Sequence, residues 1–85
     1  MAEVEVGRVH DFFAHPVVAG IELTGELRVG DTVHITGHTT DLRFRVESMQ
    51  IDHREVPVAG AGQSIGLKVP ERVRHGDHVF KVLPE

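Results

Sequence analysis

The sequence predicts an all-β protein, a closed six-stranded antiparallel β-barrel, and three observations point there. Valine, with fourteen copies, is the commonest of the 85 residues. A β-branched excess favours strands, because two heavy atoms on Cβ restrict χ1 in a helix and pack well on a pleated surface. Apolar and polar residues alternate with period two through most of the chain, and no window carries the i, i+3, i+4 stripe of an amphipathic helix. Turn-forming residues cut the alternating runs into short pieces, and many short strands in a small chain favour closure, which removes exposed sheet edges.

The elements follow in order. Val4 and Val6 alternate with Glu3 and Glu5, and the parity then slips between Gly7 and Val9, where a residue without Cβ makes the slip cheap. Val33 and Ile35 alternate with Thr32 and His34. Leu42, Phe44 and Val46 alternate with Arg43, Arg45 and Glu47, and the same parity resumes at Met49 and Ile51, which implies one strand bent or bulged near Glu47. Ile65, Leu67 and Val69 alternate with Gly66 and Lys68. Turns are expected at Gly25, Gly30-Asp31, Gly37, Asp52-His53, Pro57, Gly60 to Gly62, Pro70 and Gly76-Asp77. Two of them echo each other: Leu27-Arg28-Val29-Gly30-Asp31-Thr32-Val33 and Val73-Arg74-His75-Gly76-Asp77-His78-Val79 share the order apolar, Arg, any, Gly, Asp, any, Val. In each, a Gly at positive φ reverses the chain and the Asp carboxylate accepts from nearby backbone N–H groups.

A chain of this length builds one core, so residues 1–85 form one domain. Absence of Cys removes disulfides, thiolate metal sites and cysteine nucleophiles. The acidic start MAEVEV lacks the basic and apolar regions expected of a leader, and no apolar run approaches the roughly 20 residues of a bilayer span. A cytoplasmic protein without membrane contact is the expectation. Neither a GxSxG elbow nor a paired-carboxylate pattern accompanies Ser48 and Ser64, and Gly60-Ala61-Gly62 lacks the Lys-Ser/Thr of a phosphate loop. The chain is therefore expected to be no enzyme, to bind no GTP and to carry no cofactor.

Charge and aromatics supply the candidate contacts. The net charge of −4 repels nucleic acid at long range, yet residues 42–85 hold seven of the nine Lys and Arg. Arg43, Arg45 and Lys68 point outward by parity, and with Arg72 and Arg74 form the candidate surface for RNA or a partner. Phe12 and Phe13 are adjacent, so on a strand only one faces the core, and the other belongs to a loop plug or an exposed contact. Seven histidines raise the question of metal. His34 and His38 share a strand face roughly 13 Å apart at the ordinary rise, and His75 and His78 lie in a turn. Surface histidine with no metal site is the expectation.

Taken together, GRV at 7–9, GELRVGDTVHITG at 25–37, VESMQIDHREVPVAGAGQSIGLKV at 46–69 and ERVRHGDHVFKV at 71–82 resemble domain two of the translational GTPases of the elongation factor Tu type. The resemblance implies the barrel of a translation elongation factor-like protein: a non-catalytic binding module that contacts tRNA, the ribosome or a translation partner. His75-Gly76-Asp77 departs from the usual Arg-Gly step, and the stretch from Phe12 to Leu23 lies where the family's first hairpin connects. Similar barrels are appended to collagenase-like peptidases and related RNA-modifying enzymes. That implies the alternative role of an accessory, docking on a separately encoded enzyme.

Overall fold

In a computed structural model, residues 2–15 and 17–84 are described, and all regular structure among them is strand. The strands are β1 (Ala2–Phe13), β2 (Val18–Leu23), β3 (Leu27–Arg28), β4 (Thr32–Thr36), β5 (Asp41–Arg45), β6 (Met49–Ile51), β7 (Arg54–Glu55), β8 (Val58–Ala59), β9 (Ser64–Lys68) and β10 (His78–Leu83). Eight form one antiparallel sheet in the order β5-β4-β10-β1-β2-β9-β6-β7, and β3 pairs with β8 as a separate ribbon.

The all-β class is as the sequence predicts, but the closed six-stranded barrel is not what forms. Among the described residues no ladder joins β5 to β7, so the large sheet ends in two edges. The stretch 42–51 is not one bulged strand. At Val46 the backbone turns away to the β3–β4 corner, its N–H donating to the Asp31 carbonyl at 2.8 Å and its carbonyl accepting from Gly30 N–H at 2.9 Å. β5 and β6 consequently lie near opposite ends of the strand order. The ribbon spans between them: Val29 N–H donates to the Pro57 carbonyl, and Val56 N–H donates to the Met49 carbonyl on β6. Leu27 and Ala59 point from the ribbon into the core.

β1 organises the sheet. Its N-terminal half pairs with β10 and its C-terminal half with β2, and register shifts fall between Glu5 and Gly7 and between Val9 and Asp11. Such irregularities increase local twist, and the sheet curls so that one face holds the core: Val6, Val9, Ile21, Val33, Ile35, Met49, Leu67 and Val79 are buried together. Half-buried Leu42 and Phe44 on the end strand β5 and Ile51 on β6, next to the end strand β7, pack at the margins.

The echoed turns are built alike. Asp31 N–H donates to the Arg28 carbonyl and Asp77 N–H to the Arg74 carbonyl, around Gly30 at φ 98° and Gly76 at φ 93°. Each Asp carboxylate accepts from the Arg N–H three residues earlier, at 2.9 and 2.8 Å. A third turn at 60–63 uses the same geometry with a different side chain. Gln63 N–H donates to the Gly60 carbonyl, Gly62 has φ 88°, and Gly60 N–H donates to Gln63 Oε1 at 2.7 Å.

No helix among the described residues is long and apolar enough to cross a membrane. At the first bulge, a Cβ on Gly7 would lie 2.6 Å from the Glu22 carbonyl oxygen and 2.9 Å from Ile21 Cγ2. Gly7→Ala is therefore expected to destabilise the fold by about 1–3 kcal/mol, read as a lower urea midpoint at unchanged slope.

Candidate binding surface

The outer face of the sheet divides into two regions that share β1. Across β5, β4, β10 and β1 the register sets Arg43, His34, Phe80 and Glu5 side by side. Their neighbours tie this row into a polar network. His34 bonds Glu3 through Nδ1 at 2.9 Å and Asp41 through Nε2 at 2.6 Å, Arg43 pairs with Glu3 at 3.0 Å, and His78 Nδ1 lies 2.6 Å from Glu5. The two imidazoles flank the Phe80 ring, with centroids 6.5 and 6.3 Å away.

The second region is a groove of about 620 Å³ over β1, β2, β9 and β6. Its floor is the cross-strand glycine pair Gly20 and Gly66, where no side chain rises from either strand. Phe13 and Val18, opposite each other on β1 and β2, form one wall. The rim carries His10, His15, His53 and Asp52, with Gln50 and Ser64 between. Asp52 and His53 are the two central residues of the β6–β7 hairpin, both left-handed at φ 51° and 65°. A two-residue hairpin with positive φ at both positions usually takes Asn-Gly. Here it carries an imidazole to the rim in a conformation Gly would adopt more cheaply.

The cations singled out from the sequence have different neighbours, and Arg45 and Lys68 share one cleft. Arg43 is engaged with Glu3. Arg45 and Lys68 flank a cleft of about 170 Å³ with Phe44, Glu47, Val69 and Pro70, although their strands are not hydrogen-bonded neighbours. The Arg72 guanidinium lies 5.7 Å from the centroid of the Phe12 ring. Arg74 lines a separate cleft of about 540 Å³ with His38, His75 and His78. The two phenyls separate as strand parity requires: Phe12 packs against the core, while Phe13 is 52% exposed. Pro16, next to His15, lies outside the described residues. Among the described residues no group of three or more His, Asp or Glu is placed to hold a metal ion.

The groove is what sequence reasoning missed. Its signals were Phe13, already a candidate contact, and Gly66, a glycine on the outward parity between Ile65 and Leu67, but only the register shows that Gly20 lies beside Gly66.

No protein-family model matches the chain. Over 79 residues it is 43% identical to an uncharacterised protease of Methanocaldococcus jannaschii, covering 92% of this chain and 19% of that protein. A collagenase of Porphyromonas gingivalis is 35% identical over 81 residues, covering 93% of this chain and 20% of the collagenase. The chain thus spans about a fifth of the length of these relatives. Among solved structures, the C-terminal domain of a Geobacillus thermoleovorans protein described as a U32 peptidase superposes with a TM-score of 0.86 at 18% identity, over 92% of this chain and 91% of that one. These matches overturn the assignment to translation elongation factor-like proteins and, with it, the expectation of a part in protein biosynthesis. A selenocysteine-specific elongation factor of Escherichia coli does match, but at 32% identity over 73 residues. The Gly-Asp turns that carried the resemblance are chain-reversal devices with a physical origin of their own.

Hydrogen bonds donated by the protonated ring to Glu3 first and Asp41 second hold the His34 pKa above its ordinary 6.5, against a smaller opposing effect of burial. A raised folded value means that the network contributes fully below about pH 6.5 and is lost as pH climbs through the folded value. Urea unfolding at about pH 6 and about pH 8 should therefore show the native protein more stable than His34→Gln at the lower pH, with the difference shrinking at the higher. An equal difference at both would remove His34 protonation from the fold's stability.

Proposed function

We propose that this chain acts as a non-catalytic accessory domain of a U32 peptidase-type polypeptide, presenting substrate or docking on the part that carries the chemistry, in the cytoplasm. The observation that carries the reading is the pairing of two matches. The chain aligns over nearly its whole length with a fifth of a protease, and its fold is that of a domain cut from the C-terminal end of such a protein. An 85-residue unit found inside a chain some five times longer reads as a module, and although its groove is lined by Ser64, three histidines and Asp52, no hydrogen bond links them among the described residues, which supports a binding role. The outer face agrees: its histidines and carboxylates are spent on one another around His34, and its groove offers rings and hydrogen-bond donors.

The test is reconstitution. A U32-type polypeptide expressed without its matching segment should form a stable complex with the 85-residue chain, and the chain alone should leave gelatin and casein intact. Hydrolysis by the chain alone that survives further purification would make it an enzyme, and absence of any complex by analytical ultracentrifugation would end the accessory reading.

A further inference from the structure

We infer that β5 is a self-complementary sheet edge through which two copies of this chain pair, antiparallel, about a twofold axis at Arg43. The inference goes beyond the accessory-domain reading and does not depend on it.

Hydrogen-bond phase identifies the free groups. The large sheet ends at β5 and at β7, and β7 is two residues long whereas β5 spans five, Asp41–Arg45. Gly37 N–H donates to the Thr40 carbonyl and Val46 N–H to the Asp31 carbonyl, and the register between these points sets Leu42 against Ile35 and Phe44 against Val33. Hydrogen-bonded and non-bonded pairs alternate along an antiparallel ladder. The even-numbered residues of this stretch therefore spend their N–H and C=O groups on β4. Those of Asp41, Arg43 and Arg45 point away from it, on the side where β5 has no strand partner among the described residues. Toward Arg45 this edge borders a cleft of about 170 Å³.

Charge order then selects the occupant. A twofold axis perpendicular to the sheet makes two β5 edges antiparallel, and centred on Arg43 it uses every outward N–H and C=O of Asp41, Arg43 and Arg45 on both copies. On the outer face each Asp41 then lies directly opposite Arg45 of the second copy, an attractive cross-strand pair. Asp41 is 80% exposed, and His34 engages its Oδ1, which leaves Oδ2 to accept from that Arg45. On the core side Leu42 meets Phe44 of the copy. Both are half-buried at the margin of the core, so the pairing covers apolar surface that the edge leaves open. Arg43 falls opposite itself, but Glu3 on β1 holds its guanidinium at 3.0 Å, back across the sheet and away from the axis. Neighbouring registers fit less well: centring on Phe44 sets Arg43 against Arg45, and centring on Leu42 carries Arg45 past the end of β5. Charged side chains on an edge turn most strands away. This edge admits a strand that presents Arg, Arg and Asp at alternate positions in the reverse direction, and a second copy of β5 is that strand.

Sedimentation equilibrium of the 85-residue chain from about 10 µM to about 2 mM should show monomer and dimer in exchange, because so short a ladder buries far less than the roughly 1,600 Å² of a standard interface. Asp41→Arg and Arg45→Asp should each weaken the dimer about tenfold or more by setting like charges opposite each other. The two together should restore it to within about threefold, since position 41 of one copy then meets position 45 of the other with both signs inverted. Both positions are exposed, so each variant is expected to keep a cooperative melting transition. In the unaltered chain, amide exchange at Asp41, Arg43 and Arg45 should slow as concentration rises, while exchange at Arg54 and Glu55 on the other edge does not change; this decides the matter without a substitution should a variant fold poorly. A monomer throughout the concentration range, a dimer that the single reversals leave intact or the double reversal does not restore, or amides on β5 whose exchange ignores concentration would each overturn the inference.

Discussion

The whole arrangement depends on how closely β1 and β2 approach at Gly7. There the strand carries no Cβ, the Glu22 carbonyl occupies the space one would need, and the ladder shifts register between Glu5 and Gly7. β1 pairs with β10 over its first half and β2 over its second, so this bend turns a flat pairing into a curled sheet. The same bend lets Val6 and Val9, of opposite parity, both enter the core. Curling in turn gives the outer face its two regions. With a straight β1, either Val6 or Val9 would face water, and the polar network and the groove would lie in one plane.

The turns are the second constraint, and they show how much of the fold was legible. Gly30 and Gly76 could be read from the sequence as one device because the Arg-x-Gly-Asp order repeats, and their hydrogen bonds are the same to within 0.1 Å. The turn at Gly60 to Gln63 shares the backbone geometry but replaces the Asp by Gln63, whose amide oxygen accepts from the first residue's N–H as the Asp carboxylates do. It escaped comparison because a different side chain at the same fourth position makes the bond. Strand existence was legible from period two. Closure was not, because it depends on where Val46 spends its hydrogen bonds, and alternation says nothing about that.

The candidate site was less legible for a related reason. Parity assigns a side chain to a face but does not say which strands are neighbours. Arg43, Arg45 and Lys68 all point outward, and β4, β10, β1 and β2 separate β5 from β9 in the strand order, yet across the curled sheet Arg45 and Lys68 flank one cleft. Arg43 is in addition neutralised by Glu3, which lies forty residues earlier in the chain and beside it in space. The Phe12-Phe13 pair was informative because adjacency on a strand forces opposite directions, and the fold gives Phe12 a core contact with Arg72 stacked on its ring. The glycines of the groove were opaque. A glycine on an outward position reads as a weak strand residue until a second one is found across the ladder.

The division of the outer face also bears on how such a module selects a ligand. Around His34 every partner is itself part of the sheet, so the charges there stabilise the curl and leave little field to recruit a charged ligand from a distance. Around Gly20 and Gly66 the reverse holds: the side chains are rings, an amide, a hydroxyl and the single carboxylate of Asp52, with no hydrogen bond between them among the described residues. Selectivity on that side must come from shape and hydrogen-bond polarity, which act only on contact and change little with salt. A binder of that kind suits a module attached to, or docked on, a longer chain, because proximity to the larger partner raises the effective ligand concentration that long-range attraction does not supply.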